Sequence, residues 1–600
     1  MPLGHRFVIG TQAPEAGTDT AADTGAVTGA DADAEAGIEA ELAAGVIEAL
    51  LREDYAGLSR RMRVTPDGAV LALPGGPVLP LRGNGFLGDF SVAQSSARAA
   101  ALTLGDVEGV LGTAPAADAD GVAAFGVECR QALETLRLRA RHLPAALPPG
   151  PWLGAGGSVC YDAVAATRPH PAYPTAACRL GFTEEDSLRY APEFWPEFEL
   201  NWVAVPRAAM VTARPSRPGW WPAMRDVGLP EALADTHELM PAHPLTARLA
   251  LPRALAEAGL APAGLGEARL AGTGLVPAAR VAPGRWLRVR PTLSVRTVAV
   301  TADPRAQLKL PMPVSTLGLR NRRAMEPRTL GDGALVRRVL AAAADRDPGL
   351  DGLLLADDGD FAHAGHPCLA YLRRRLPDGL GASRIVPVAA LLAETGDGLV
   401  IADLAGPEPV PAFFRRYLDL VFGLAVRLFV RYGIALESHQ QNAALVAGPG
   451  PRLRLLVKDF DGALINHSRL AATLGDLTPE PAGFGDQRLL TASDDALADV
   501  FVTITVHLCA GALAFGLADR GYAPRPRLLA TVREALDAAL DHQASEPSAQ
   551  LLRARVLEAG RLPVKAMLTA GTLTDKSRTG ARDINKFYGP PGPNYLRDSR

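Results

Sequence analysis

The sequence has few cysteines, and they lie far apart. The five residues form no C-x-x-C pair: Cys129, Cys160, Cys178, Cys368 and Cys509. We therefore expect neither a zinc site nor a disulfide framework. A reducing, cytoplasmic environment is the simplest interpretation of this cysteine usage.

Three other features are missing, and each makes a class of protein less probable. Lysine plus arginine (62) nearly balance aspartate plus glutamate (65), and no basic stripe is interleaved with aromatics, so no nucleic-acid partner is expected. The N-terminus MPLGHRFVIG lacks a basic segment followed by a long apolar one, which argues against a signal peptide. The longest apolar run, residues 499–520, contains His507 and is expected to be a buried core helix rather than a membrane span.

Composition divides the chain into four parts. Residues 11–36 have almost no large apolar side chain, and we expect residues 1–36 to form a disordered tail. Residues 37–150 mix short helical and strand patterns, and residues 151–390 contain the clearest strand signals, FELNWVAVP, WLRVRPTLSVRTVAV and AQLKLPMPVST. Residues 391–600 are mostly helical by their wide apolar faces. At 600 residues, an α+β protein of several domains is expected.

Polar residues cluster where one long apolar helix pattern ends, in RYGIALESHQQNAALV. Glu437, His439, Gln441 and Asn442 follow one another closely, and the apolar strand pattern LLVKDFDG then delivers Asp459. Carboxylate and amide oxygens are ligands that suit Mg²⁺, which commonly accompanies a phosphate. The alternative is that the acids are solvated loop residues and His439 is a capping residue.

A second polar cluster lies in residues 291–323. Strand alternation would put Ser294 and Arg296 on one face, and a turn in TADP would place Arg296 directly opposite Lys309. Like charges that face each other cost roughly 0.2–1 kcal/mol unless an anion lies between them. Arg320 adds a planar fork suited to a phosphate or carboxylate. The alternative is a solvated basic face.

A third stretch, RPHPAYPTAACRLGF, holds His170 between two prolines. The prolines favour an extended backbone that would fix the imidazole as a donor to a substrate carboxylate. A purely structural histidine is the alternative.

In this order, the three stretches resemble the IucA/IucC family of siderophore synthetases, ligases independent of non-ribosomal peptide synthetases. ESHQQN is similar to the family's E-x-H-x-Q-N, and VKDFDG to its R-D-F segment. LSVRT, KLP and VSTLGLR resemble the S-x-R-T, lysine and T-x-x-x-R elements around ATP. The resemblance covers about residues 150–570. It implies a cradle of thumb (37–150), fingers (151–390) and palm (391–600).

The resemblance also implies a role for individual residues. The expected nucleotide contacts are Ser294, Arg296, Thr297, Lys309, Thr316, Arg320, His439 and Gln441. The expected contacts to the acid are His170, Arg320, His439 and, from LPVKAMLTAG, Lys565. The expected Mg²⁺ ligands are Glu437, Asn442 and Asp459, and the expected catalytic residues are Lys309, Arg320 and His439.

The reaction implied has two steps. A carboxylate of citrate or a related polycarboxylic acid attacks ATP to form an acyl adenylate and pyrophosphate, and an amine, hydroxamate or alcohol then displaces AMP. The resemblance also implies a homodimer, and the cysteine usage above predicts a cytoplasmic location.

Four positions depart from the family's pattern. Tyr173 and Ala177 stand where a histidine and a lysine are usual, and Leu245 and Thr246 where tryptophan and glutamine are usual. These changes leave open an unusual substrate, or a catalytically altered homologue that acts as a binding partner. A kinase-like phosphotransferase is a further alternative, since HQQN followed by KDFDG echoes a kinase catalytic loop. The chain lacks the loop aspartate and the upstream glycine-rich loop that kinases need.

Overall fold

The computed structural model describes residues 29–66, 68–144, 147–148, 152–214, 217–261, 278–396, 398–581 and 583–597. Most of the tail predicted for residues 1–36 lies outside the described residues. The first helix, Gly29–Arg52, begins inside that range, so the prediction of disorder is wrong for residues 29–36. Leu42, Val46 and Leu50 recur at helical spacing and are buried. The limits of the predicted domains stay a prediction.

The N-terminal part pairs helices with a small antiparallel sheet. Its four strands follow chain order: Met62–Thr65, Gly68–Ala72, Val78–Gly83 and Phe90–Val92. The other helices are Ala97–Ala100, Leu104–Leu111 and Ala119–His142. Their shared core also contains Leu568 and Leu573, so a segment near the C-terminus packs into the N-terminal part.

A nine-stranded antiparallel sheet forms the middle of the protein. Eight strands lie in the spatial order Val211–Thr212, Asp357–His363, Ala370–Arg375, Asp303–Lys309, Thr297–Val300, Trp286–Pro291, Phe198–Pro206 and His237–Ala242, and Arg280–Val281 pairs with Phe198–Pro206. The associated helices are Gly154–Ala166, Glu184–Tyr190, Pro244–Leu249, Leu251–Glu257 and Leu330–Arg346. The predicted strand FELNWVAVP coincides with an observed strand, as its apolar, β-branched and aromatic content favours.

The predicted pairing of Arg296 with Lys309 is wrong by one residue. Thr297, not Arg296, pairs with Lys309, because the strands meet at Val300 and Asp303 and a bulge follows. Ser294 and Arg296 also lie outside the strands, in a tight turn closed by the Thr292 N–H donating to the Thr297 carbonyl at 2.9 Å. Strand alternation therefore does not apply to them.

Another four-stranded sheet, several small strand groups and a set of helices make up the rest of the protein. This sheet has the order Leu353–Leu355, Leu453–Val457, Ala443–Ala447 and Arg384–Pro387. Small strand groups are Arg179–Leu180 with Ser315–Thr316, Glu394–Thr395 with Gly398–Leu399, Ile434–Ala435 with Leu464–Asn466 and Leu490–Thr491, and Arg561–Leu562 with Gly592–Pro593. The helices are Val400–Ala405, Val410–Tyr432, His467–Leu474, Asp494–Val500, Phe501–Gly511 (a π-helix), Ala512–Asp519, Arg525–Asp541, Pro547–Arg553 and Lys576–Thr579.

The long apolar run is a core element, as predicted. Among the described residues, Asp494–Asp519 is the one helical segment long and apolar enough to cross a membrane, and 89% of its most apolar window is buried inside the protein. Within it, the His507 ring nitrogens lie 2.9 Å from the Tyr595 hydroxyl and 3.0 Å from the Pro563 carbonyl.

Candidate active site

The centre of the candidate site is an ion cluster between the nine-stranded sheet and the four-stranded sheet that contains Leu453–Val457. Lys309, at the end of its strand, is 3% exposed, and its Nζ donates to Asp459 Oδ1 at 2.5 Å and to Asp461 Oδ2 at 3.0 Å. Arg374 lies 3.5 Å from the same Asp459 oxygen and makes a bidentate pair with Asp358. Burial raises the pKa of Asp459, but Lys309, Arg374 and Arg296 outweigh it and hold the pKa well below its usual range. Asp459 therefore stays ionised and joins the two sheets.

Arg296 approaches this cluster from the turn at residues 292–297. Its Nη1 donates to the Ala324 carbonyl at 2.9 Å, while its buried Nε has no hydrogen-bond partner among the described residues. Beside it, the Thr297 hydroxyl donates to Ser294 Oγ at 3.3 Å. The guanidinium thus brings positive charge and an unused donor towards Asp459.

The hairpin of residues 312–323 contributes two more arginines. Its arms are joined by the Met312 N–H donating to the Arg323 carbonyl at 2.9 Å, and Arg323 Nε donates to Thr316 Oγ1 at 2.5 Å. Burial lowers the pKa of Arg323 to about 9, and neighbouring Arg296 adds to this effect. At the tip, Arg320 Nη1 donates to the Ala570 carbonyl at 3.3 Å.

ESHQQN lies against the loop that carries Asp459. A Cβ added at Gly462 would lie 3.0 Å from the Glu437 Cβ and overlap its carboxylate, so the Glu437 side chain would have to shift. Glu437 Oε1 lies 3.5 Å from Lys565 Nζ, and burial raises the pKa of Glu437 despite that lysine. Lys565, remote in sequence, therefore lies beside the predicted metal ligand.

Two neutral imidazoles lie near Lys565. Burial lowers the pKa of His439 to about 3, with contributions from Lys565 and His170, and burial and Lys565 lower the pKa of His170 to about 4. His439 Nδ1 accepts from the Gln441 N–H at 3.3 Å, and His170 Nδ1 accepts from the Ala172 N–H at 3.1 Å. In each ring Nε2 then carries the proton and is a donor. The Asn442 side-chain amide lies 3.4 Å from His439 Nε2, and with Nε2 protonated the amide oxygen, not the amide nitrogen, is the group that can face the ring.

Three residues within or beside this cluster have a strained backbone. Val295, Leu317 and Asp459 have φ of 63°, 54° and 68°, in the left-handed region that non-glycine residues seldom adopt. Val295 precedes Arg296, Leu317 follows Thr316, and Asp459 belongs to the ion cluster itself. Strain of this kind persists where the surrounding structure imposes it, and it is frequent at functional sites.

The four departures from the family's pattern all have buried side chains. Tyr173, Leu245 and Thr246 are 0% exposed and Ala177 is 7% exposed. The Thr246 hydroxyl donates to the Pro311 carbonyl at 2.6 Å. These residues are accommodated in the packed interior and do not join the ion cluster described above.

Sequence reasoning missed three charged residues of the cluster. Asp461 and Arg323 had a weak signal, since each lies within three residues of a predicted contact. Arg374 had none, because only the pairing of Ala370–Arg375 with Asp303–Lys309 brings it near Asp459. Among the described residues, no group of three or more His, Cys, Asp or Glu side chains is placed to hold a metal ion. The predicted Mg²⁺ set, which includes an amide, stays a prediction.

Fold and site together define an α+β protein in which several fixed cations surround buried carboxylates, an arrangement that can hold a further anion. Residues 164–393 match the model of the IucA / IucC family, and residues 411–581 match that of the ferric iron reductase FhuF-like transporter. The LSVRT, KLP and VSTLGLR motifs lie inside the first match, and ESHQQN and VKDFDG lie inside the second.

Two curated relatives are, by name, a synthase and a siderophore biosynthesis protein. The chain is 23% identical over 358 residues to 2-[(L-alanin-3-ylcarbamoyl)methyl]-3-(2-aminoethylcarbamoyl)-2-hydroxypropanoate synthase of Staphylococcus aureus, covering 52% of this chain and 53% of that protein. It is 26% identical over 451 residues to the rhizobactin siderophore biosynthesis protein RhbC of Rhizobium meliloti, covering 70% and 71%. The first match thus spans about half of the relative's length.

Solved structures show the same fold over nearly the whole chain. Petrobactin biosynthesis protein AsbB of Bacillus anthracis superposes with a TM-score of 0.71 at 16% identity, covering 95% of this chain and 97% of that one. ATP-bound aerobactin synthetase IucA of Klebsiella pneumoniae superposes with a TM-score of 0.66 at 15% identity, covering 93% and 100%. The expected α+β cradle of the IucA/IucC type is confirmed.

Proposed function

We propose that this protein is an ATP-dependent siderophore synthetase that activates a carboxylate of citrate or a related polycarboxylic acid and condenses it with an amine, hydroxamate or alcohol. The observation that carries the proposal is the convergence of Arg296, Lys309 and Arg323, from three segments, around Asp459. Asp459, Asp461 and Asp358 offset most of this positive charge, and the Nε of Arg296, unpartnered among the described residues, remains as a donor for further anions. A triphosphate beside a polycarboxylate supplies such anions.

In the first step, a carboxylate oxygen of the acid attacks the α-phosphorus of ATP. The bond to the β-phosphate breaks, and pyrophosphate leaves. Arg296, Lys309 and Arg320 would stabilise the charge that develops on the phosphate oxygens; in other enzymes one such donor is worth roughly 10²–10³-fold in rate. His439 would donate from Nε2 at the junction of the two substrates, and Ser294, Thr297, Thr316 and Gln441 would line the nucleotide.

In the second step, the amine or hydroxyl attacks the acyl carbon and AMP leaves. His170 and Lys565 would hold the remaining carboxylates of the acid. The neutral state of His170 favours a directional hydrogen bond, and Lys565 supplies the charge. No protein nucleophile takes part in this scheme.

The residue types fit Mg²⁺. Glu437, Asn442 and Asp459 offer the oxygen donors that this cation takes. Both carboxylates are ion-paired with lysines, Glu437 with Lys565 and Asp459 with Lys309, so cation binding would compete with those pairs. Mg²⁺, when bound, would neutralise charge on the phosphates.

Turnover of ATP to AMP and pyrophosphate, trapped with hydroxylamine, tests the proposal with a panel of citrate and other polycarboxylic acids. Pyrophosphate release that requires an acid supports the ligase. Transfer of the γ-phosphoryl group without pyrophosphate would instead indicate the kinase-like alternative. ATP binding with neither reaction would indicate an altered homologue that acts as a partner.

We further propose that the enzyme works in the cytoplasm as a homodimer. Both points rest on resemblance and on cysteine usage. Light scattering of the purified full-length chain gives its mass in solution, and a monomer at working concentration would overturn the dimer.

A further inference from the structure

The hairpin tip that carries Arg320 rests on a segment near the C-terminus. The Leu319 N–H donates to Thr572 Oγ1 at 2.9 Å, and the Arg320 N–H donates to the Gly571 carbonyl at 3.0 Å. A Cβ added at Gly318 would lie 2.9 Å from Gly571, so the two backbones are in direct contact. The position of Arg320 is therefore set by residues 570–572.

The N-terminal part holds that segment through one buried carboxylate. Glu128 is 1% exposed, and its Oε2 accepts from the Thr572 hydroxyl at 3.1 Å. Its Oε1 accepts from the Tyr173 and Thr175 hydroxyls, both at 2.7 Å. Because the Leu319 N–H can only donate, Thr572 Oγ1 accepts there, and its own proton is free to point to Glu128.

We propose that Glu128 is a positioning residue for Arg320, acting through the hydroxyl of Thr572, and that Tyr173 completes the hydrogen bonding of Glu128. The inference rests on the proposed function, because it takes Arg320 as a contact to the substrates. It also assigns a role to Tyr173, which replaces a histidine of the family's pattern. The phenol anchors the carboxylate in the interior, so this departure does not by itself imply lost activity.

The energetics favour a fixed geometry. Burial raises the pKa of Glu128, while the hydroxyls of Tyr173, Thr175 and Thr572 oppose that rise by donating to it. A fully bonded polar network in a low-dielectric interior is rigid, and removing one member leaves a buried group without a partner.

A second buried carboxylate anchors the same segment independently. Glu53 accepts from the Leu568 N–H at 3.0 Å, from the Thr569 N–H at 2.8 Å and from the Thr569 hydroxyl at 2.8 Å. Loss of the Thr572 hydroxyl should therefore loosen the hairpin tip without releasing the segment or unfolding the protein.

The test uses Thr572→Val, which removes the hydroxyl at nearly constant shape, and Thr572→Ser, which keeps it. Each is made in the full-length protein and in an Arg320→Ala background. Thr574→Val is the matched control, because the Thr574 hydroxyl contacts a different acid of the same part, Asp118, at 3.5 Å. We expect Thr572→Val to lower kcat/KM for pyrophosphate release by at least about tenfold through misplacement of Arg320. Thr572→Ser and Thr574→Val should stay near the parent.

In the Arg320→Ala background, Thr572→Val should cause no further loss of kcat/KM. If Thr572 had a merely structural role, the two losses would instead add. Hydrogen exchange at the Leu319 amide should speed up in Thr572→Val alone, whatever the activity. Unchanged exchange, or additive losses in the double variant, would overturn this inference. Full activity of Arg320→Ala would instead count against the assigned role of Arg320 in the proposed function, and the exchange result would still decide whether Glu128 and Thr572 hold the tip.

Discussion

Replacing Lys309 with methionine separates the structural and catalytic roles of the ion cluster. The change keeps the length of the side chain and removes its charge, so Asp459 loses its shortest contact, at 2.5 Å. Breaking a buried ion pair costs about 3–5 kcal/mol when no other partner remains. Here Arg374 still lies 3.5 Å from Asp459, and Asp461, 53% exposed, can be rehydrated. We therefore expect about 2–3 kcal/mol of lost stability.

Denaturant unfolding and pyrophosphate release measure the two effects. Pyrophosphate release by Lys309→Met should fall by about 10²–10³-fold. Adding Asp459→Asn removes the uncompensated charge, so the double variant should recover much of the stability and none of the activity. Lys576→Met, at an exposed lysine, is the matched control and should change neither quantity.

The pH dependence of this difference follows from the sign of the shift. The pKa of Asp459 is lowered in the folded state, so its stabilisation is fully present above the ordinary carboxyl pKa of about 4. It is lost as the pH falls through the folded-state pKa. The stability gap between the parent and Lys309→Met should therefore be full at pH 7 and shrink below about pH 4. Equal stability at pH 7, or activity regained in the double variant, would refute the reasoning.

Four other variants have definite expected outcomes. Arg296→Ala and His439→Ala should each abolish pyrophosphate release with an unchanged circular dichroism spectrum; full activity in either contradicts its assignment. Arg323→Ala should raise the Kd for ATP at least about tenfold, because a charge-assisted hydrogen bond is worth about 1.5–3 kcal/mol. The control Arg322→Ala, at an exposed arginine, should leave the Kd unchanged. Equal ATP affinities of the two variants would show that Arg323 does not contact the nucleotide. Glu193→Gln should cost about 3 kcal/mol near pH 7, because it leaves two buried guanidiniums without a counter-ion. The pKa of Glu193 is lowered to about 2, so this cost should fade as the pH drops below about 4 towards 2, and a pH-independent cost would contradict the role of its charge.

The sequence alone was enough to predict the α+β fold class and the resemblance to the IucA/IucC family. Local patterns carry this information, since an apolar, β-branched strand such as FELNWVAVP or a spaced motif such as ESHQQN is legible without the rest of the chain. Lys309 and Asp459, predicted for one site, are in contact in the structure, and so are Glu437 and Lys565.

Only the tertiary structure decided the register and the partners. No local pattern marks the bulge between the two strands, and because of it the partner of Lys309 is Thr297 and not the predicted Arg296. Burial decided that Tyr173 belongs to the interior with Glu128. Arg374 reached Asp459 through strand pairing across a long sequence separation. Hydrogen-bond geometry and desolvation depend on neighbours distant in the chain, so they follow from the assembled fold and not from the motifs.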